Sequence, residues 1–189
     1  AFCTLSYEAP NRYVWIGKLN SSGTLQWGNL QTGYFFGVGN SIVESPSGGF
    51  VVAGYYDDGP GYQFLAIKVD PSGNNVWAVE FGDSQGEEFC DFIGHAPGGG
   101  YYLFGDGESQ YTLDSDTWLI KIDENGNQEW NQLFRENLNQ TVETCVMVNG
   151  GRDLVSLGEE NIWWSNGGDC HAVRYNDIGD LQAAIAPLG

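Results

Sequence analysis

The hydrophobic residues of this chain lie in short runs, rich in Val, Ile, Phe, Tyr and Trp, that polar turns separate. The clearest runs are Ser41–Glu44, Phe50–Tyr55, Phe64–Val69 and Asn75–Phe81. Such residues pack well on a pleated surface, so each run predicts a β-strand. No segment keeps apolar residues at the third and fourth positions over several turns, so we expect very little helix.

One unit of about 50 residues recurs along the chain, and a basic residue followed by a Gly turn marks each copy. The basic residues are Lys18, Lys68, Lys121 and Arg174, and the turn glycines are Gly23, Gly73, Gly126 and Gly179. Repeats of this length are typical of propellers, solenoids and arrays. Four short antiparallel strands fit each unit, as in a propeller blade. We therefore expect an all-β, four-bladed β-propeller, with a long β-solenoid as the alternative.

The first repeat is expected to lack one strand. Residues 1–20 align without a gap on residues 51–70, so the chain begins at the second strand of its first blade. The single domain then divides into a partial blade and three full blades, at 1–30, 31–82, 83–135 and 136–189. The missing strand would lie beside Ala1–Leu5. Three explanations stay open: a shortened chain, a three-stranded blade, or a strand supplied by another molecule through β-addition.

The charge balance excludes several classes of partner. The chain has 25 acidic and 7 basic residues, for a net charge of −18. Nucleic acids and anionic membranes require a basic surface, so neither is an expected partner. No run of apolar residues is long enough to span a bilayer, so membrane insertion is not expected. The few basic residues, the four Cys and the many Tyr and Trp favour a secreted, extracellular protein.

The cysteines and two sequons fit that location. The four residues Cys3, Cys90, Cys145 and Cys170 permit two disulfides. A bridge between Cys90 and Cys145 is preferred because both lie near the first strand of consecutive repeats, which leaves Cys3 to pair with Cys170. Four buried thiols are the alternative. Asn20 and Asn139 begin Asn-x-Ser/Thr sequons and are predicted glycosylation sites.

Acidic residues follow the second predicted strand of the repeats. They are Asp57, Asp58, Asp106, Glu108, Glu159 and Glu160. Carboxylate oxygens are the ligands that Ca²⁺ prefers, so one interpretation is a calcium site or the docking of a cationic partner. The other interpretation is a solvated acidic face that keeps the protein soluble. No other cofactor is expected.

Aromatic residues in the loops are candidates for ligand or partner binding. Trp163 and Trp164 are adjacent in a loop rich in Gly and Asn, and Tyr62 and Tyr111 lie in comparable loops. Large rigid rings can stack on sugars or anchor a partner protein. The same tryptophans can instead fold over one face of the expected propeller as a cap.

Other recurring residues have structural interpretations. The repeated basic residue is expected to pair with a carboxylate or cap carbonyls of a neighbouring blade, and Trp27, Trp77 and Trp130 to pack between blades. His95 and His171 occupy unrelated repeat positions, without the neighbours that a catalytic triad needs. No catalytic site is therefore predicted.

The segments Lys121–Trp130 and Gly48–Gly54 resemble repeats of secreted bacterial β-propellers, which have the form K-hydrophobic-D-x-x-G-x-x-x-W. The resemblance implies an extracellular propeller of adhesive, surface or matrix proteins, usually without enzyme activity. Hemopexin-like domains are similar only in having four blades and a bridge from first to last blade. We expect a non-enzymatic structural or binding module, whose partners are protein subunits (including a second copy, by strand completion) or glycans. The alternative is a lectin or a glycan hydrolase.

Overall fold

A computed structural model describes most of the chain. It covers residues 1–8, 11–33, 37–57, 59–82, 86–96, 98–108, 115–134, 139–148, 153–161, 169–175 and 181–185. Side chains are described up to residue 133, apart from those of residues 3–8, 11, 108 and 115. Within these ranges the protein is all-β, as predicted, and no helix occurs.

The described strands number fifteen and form four sheets. They are β1 (Phe2–Glu8), β2 (Asn11–Leu19), β3 (Leu25–Gln31), β4 (Val38–Glu44), β5 (Phe50–Asp57), β6 (Tyr62–Val69), β7 (Asn75–Phe81), β8 (Glu88–His95), β9 (Tyr101–Glu108), β10 (Ser115–Ile122), β11 (Gln128–Phe134), β12 (Asn139–Val148), β13 (Asp153–Asn161), β14 (Asp169–Tyr175) and β15 (Leu181–Ile185). The sheet orders are β1-β2-β3, β4-β5-β6-β7, β8-β9-β10-β11 and β12-β13-β14-β15. Strands therefore pair with their neighbours in sequence, which is the pattern of successive hairpins.

The chain divides into two compact units, Ala1–Ile93 and Gly94–Gly189, with the boundary inside β8. Within the first unit, β4 of the second sheet lies against β1 and β2 of the first. Within the second unit, β12 of the fourth sheet lies against β9 and β10 of the third. We call the first strand of each four-stranded sheet, in chain order, its leading strand. In both units, the leading strand of one sheet packs on the sheet that precedes it in the chain.

The core of the first unit is made by both of its sheets. Val14 and Ile16 from β2 contact Val52, Leu65 and Ile67 from β5 and β6, and all five are almost fully buried. Burying a side chain of this size contributes about 1.5–3 kcal/mol. The apolar faces of the two sheets therefore hold them together.

Trp27 of β3 packs against the second sheet, as predicted for the repeated tryptophans. Its ring lies 6.0 Å from that of Phe50, and its Nε1 donates a 3.0 Å hydrogen bond to the carbonyl of Pro71. Trp130 behaves differently, because its ring lies 5.7 Å from Tyr102 within its own sheet. The same repeat position thus packs between sheets in one copy and contacts its own sheet in another.

The repeated lysines also have structural roles, but with partners other than those expected. The Lys121 ammonium donates to the carbonyls of Gly99 and Ile122, at 2.8 and 3.1 Å, and to Glu129 Oε2 at 2.8 Å. These acceptors belong to its own sheet or adjoining turns, so the prediction of neighbouring-blade partners is wrong for Lys121. A buried ammonium needs such a full set of acceptors, since an unpaired buried charge is costly.

The predicted Gly turns are hairpin turns in the described repeats, and an Asp or Asn three residues before the glycine closes each one. Asp70 Oδ1 accepts hydrogen bonds from the backbone amides of Ser72 and Asn74, at 2.8 and 2.9 Å. Gly73 completes the turn with a φ of 86°, where a residue with a Cβ is strained. Asp123 makes the same pair of bonds in the third sheet. These local bonds explain why the motif recurs.

Candidate functional site

The predicted calcium residues lie largely in strands. Asp57 ends β5, where its Oδ1 accepts a 2.7 Å hydrogen bond from the amide of Gly59. Asp106 and Glu108 belong to β9, and Glu159 and Glu160 to β13. The prediction that these residues follow the second strand is therefore wrong for five of the six residues. The strand extends further than predicted because its hairpin ladder continues, as in the pairing of Asp57 with Tyr62.

No three His, Cys, Asp or Glu side chains come together to hold a metal ion within the described ranges. Asp58 lies outside those ranges, and the side chains of Glu108, Glu159 and Glu160 are not described. Calcium binding stays a prediction.

The predicted aromatic residue Tyr62 belongs to a cluster of three rings in the first unit. Its ring centroid is 5.7 Å from that of Tyr55 and 5.1 Å from that of Phe89, and the latter two are 4.8 Å apart. Contacts at these separations stabilise aromatic pairs beyond simple burial. Trp163, Trp164 and Tyr111 lie outside the described residues.

Two charged groups, Asp91 and Arg12, act on Tyr55 of this cluster. Burial raises the pKa of Tyr55, the Asp91 carboxylate raises it further, and the Arg12 guanidinium opposes them. Asn40 Nδ2 donates to Asp91 Oδ1 at 3.2 Å. The Tyr55 hydroxyl therefore stays protonated at neutral pH and keeps its capacity to donate. Sequence reasoning missed Tyr55, Phe89 and Asp91, because their approach depends on contacts between sheets.

Cys90 is fully buried, and its thiol donates a long hydrogen bond, 3.6 Å from sulfur to oxygen, to the carbonyl of Phe92. The predicted bridge from Cys90 to Cys145 is not formed, since Cys90 remains a thiol. A buried thiol packs as a small hydrophobic side chain. The side chains of Cys3, Cys145 and Cys170 lie outside the description.

Asn20, a predicted glycosylation site, is exposed in the turn between β2 and β3. Its Oδ1 accepts hydrogen bonds from the backbone amides of Ser22 and Thr24, at 3.0 and 2.9 Å. Asn139 is the first residue of β12, and its side chain is not described. The turn at Asn20 leaves the amide nitrogen unused by the described residues.

In the first sheet, the edge formed by β1 differs from the corresponding edge of the other three sheets. β1 pairs with β2 along its whole length, from Phe2 opposite Gly17 to Glu8 opposite Asn11. Among the described residues no strand pairs with its other edge, whereas β5, β9 and β13 each have a strand on both sides. An unpaired edge presents backbone donors and acceptors to any extended segment.

Two of the strands that occupy the corresponding edge elsewhere, β4 and β12, contain a bulge. In β4 the register shifts between Gly39 and Ser41, which leaves Asn40 outside the ladder. In β12 it shifts between Val142 and Thr144, around Glu143. The bulged Asn40 donates from Nδ2 to the Cys90 carbonyl in β8, at 2.9 Å. A leading strand therefore pairs with its own sheet and contacts the next leading strand.

Comparisons with known proteins add little. No protein family and no curated protein matches the sequence. A solved structure described as "Crystal structure of the eukaryotic initiation factor" is similar, with a TM-score of 0.49 and 10% identity. The match covers 98% of this chain but only 42% of that one, and at this level it carries no argument. The described residues include no helix long and apolar enough to cross a membrane.

Proposed function

We propose that this chain is a non-enzymatic, extracellular binding module, built as a four-bladed β-propeller, that accepts an extended segment beside β1. The observation that carries the proposal is the three-stranded first sheet, next to three sheets with a leading strand at the corresponding edge. In β-strand addition, main-chain hydrogen bonds supply affinity and alternate side chains supply specificity.

The four-bladed arrangement is supported by the repeated sheets. Each full sheet has the same strand order, and within each unit a leading strand packs on the preceding sheet. A stack of such sheets is the construction principle of propellers.

The other leading strands indicate the sequence that fits the edge. β4 and β12 pair antiparallel to the second strand of their sheets and carry a polar residue, Asn40 or Glu143, at the bulge. The preferred partner is therefore an extended segment with apolar residues after a bulged Asn, Asp or Glu. A protein partner or a second copy of this chain can supply it.

A peptide with the sequence of Gly37–Ser45 tests the proposal. We expect saturable binding of the fluorescein-labelled peptide by fluorescence anisotropy, together with slower hydrogen exchange of the Phe2–Glu8 amides. A matched peptide carrying Ile42→Pro should not bind, because proline removes a ladder donor.

The assembly state supplies a second readout. Light scattering coupled to size-exclusion chromatography, with electron microscopy, would detect polymers if a second copy supplies the strand. A monomer of 20.7 kDa plus any glycan at every concentration, with no peptide binding and no change in β1 exchange, would overturn the proposal.

A further inference from the structure

A groove opens in the first unit between the end of β3 and the turn that leads into β7. Its volume is 460 Å³, within the range of about 300–1,000 Å³ typical of small-ligand sites. Its polar lining and floor consist of Asn29, Gln31, Thr32, Gly73, Asn74 and Asn75. The groove is separate from β1, so it requires an explanation that strand addition does not provide.

The lining contains no charged side chain, in a protein that carries 25 carboxylates. Four side-chain amides and the Thr32 hydroxyl provide its hydrogen-bonding groups. An amide offers two donors and an acceptor without charge, and a hydroxyl both donates and accepts. This set suits a ligand that also presents neutral donors and acceptors close together.

Hydrogen bonds across the groove hold these amides in place. Asn29 Nδ2 donates to the carbonyl of Gly73 at 2.8 Å, and Asn75 Nδ2 donates to Gln31 Oε1 at 3.2 Å. No described residue bonds to Asn29 Oδ1, Asn75 Oδ1 or Gln31 Nε2. Gln31 is only 7% exposed and lines the groove. These two bonds orient the amides before a ligand arrives and leave polar atoms for it, which lowers the entropy cost of binding.

The floor of the groove requires glycine. A Cβ added to Gly73 would lie 2.6 Å from Trp27 Cε3 and 2.7 Å from Asn29 Nδ2. The absence of a side chain keeps the floor open and lets Asn29 reach the turn.

The amides of β3 are not a requirement of the repeat. When Trp27 is aligned with Trp77, the positions of Asn29 and Gln31 fall on Val79 and Phe81. A strand at this place in the fold therefore forms with apolar side chains, and the first copy alone carries an amide at both positions.

We propose that this groove binds a neutral saccharide. The ring hydroxyls of such a sugar match the uncharged donors and acceptors of Gln31, Thr32 and Asn75. The negative charge of the protein disfavours anionic sugars. The inference does not depend on strand addition at β1.

The test is a titration of ¹⁵N-labelled protein with neutral di- to tetrasaccharides of glucose, galactose, mannose and N-acetylglucosamine. We expect one class to shift the side-chain NH₂ signals of Asn29, Gln31 and Asn75 in a saturable manner. If none shifts them, or if binding maps outside the groove, the proposal is overturned.

Three variants test whether the saccharide binds in the groove. Gln31→Glu should weaken saccharide binding about tenfold, through loss of the Nε2 donor. Thr32→Val, at an exposed position, should weaken it by a smaller factor with little risk to folding. Gln26→Glu makes the same chemical change at an exposed position of β3 that does not line the groove, and should leave affinity unchanged. Equal losses in Gln26→Glu and Gln31→Glu would contradict a site in the groove.

Discussion

At the scale of single residues, short polar side chains define the hairpins. Asp70 and Asp123 each bond two backbone amides and one Asn side chain in their turns. The bond from the Asn74 side chain, followed by the backbone bonds, lowers the pKa of Asp70 below its ordinary value, and Asn127 has the same effect on Asp123. The ionised carboxylate is therefore favoured in the folded state.

The lowered pKa of Asp70 predicts that its contribution to stability depends on pH. Asp70→Asn should remove that contribution. Because the folded pKa is depressed, the stabilisation is complete above the unfolded pKa of about 3.9 and is lost as pH falls through the folded value. We expect the variant to have a lower Tm than the wild type at pH 7, with the difference shrinking in acid. Thermal unfolding between about pH 7 and pH 2 checks this, and a difference that stays constant across the range would contradict it.

At the scale of strands, a bulge explains why a glycine recurs in the second strand of the full repeats, as Gly54, Gly105 and Gly158. Gly54 of β5 lies opposite Gly39, beside the bulged Asn40. A Cβ added to Gly54 would lie 1.8 Å from the Val38 carbonyl oxygen, which is backbone and cannot easily move. The glycine therefore permits the close approach of β4.

Gly54→Ala should accordingly destabilise the protein by about 1–3 kcal/mol, the usual cost of overpacking. Gly107→Ala is the matched control, since its added Cβ would meet atoms no closer than 3.5 Å. Urea unfolding of both variants measures the difference. Equal losses of stability would mean that the bulge does not limit this position.

The sequence predicts the local features well and the contacts between sheets poorly. The hairpins at Asp70 and Asp123 depend on bonds within five residues, so the local sequence is enough to predict them. The Asn29 bond to Gly73 and the contact of Tyr55 with Phe89 join residues far apart in the chain. Nothing in a local pattern specifies such partners, so the groove and the aromatic cluster became visible only in the structure.

At the scale of the whole molecule, the large negative net charge dominates the electrostatics. A net charge of −18 produces repulsion within the folded chain, which salt screens. Raising NaCl from about 0.01 to about 0.15 M shortens the Debye length from about 30 to about 8 Å. We therefore expect Tm to rise with NaCl, measured by thermal unfolding at constant pH; an unchanged or falling Tm would contradict this.

The same experiment addresses the calcium interpretation of the acidic residues. CaCl₂ at matched ionic strength should raise Tm more than NaCl or MgCl₂ if Ca²⁺ is bound by the folded state, because a ligand of the native state stabilises it. Reversal by a chelator would complete the test. Equal effects of the three salts would leave the solvated acidic face as the explanation.

The turn at Asn20 gives one repeat a property that its equivalents lack. Asn20 occupies the place of Asp70 and Asp123, and the side-chain bonds of its turn use its oxygen, as in the two Asp turns. Exchanging Asp for Asn at the other two corners would not create a second attachment point for a glycan, because Pro71 follows the first and Asn125 replaces the required hydroxyl in the second. Among these three turns, the one at Asn20 is therefore the one that meets the sequence requirement for N-glycosylation. A glycan attached there would mark one repeat among its equivalents without displacing the side-chain bonds that form the turn.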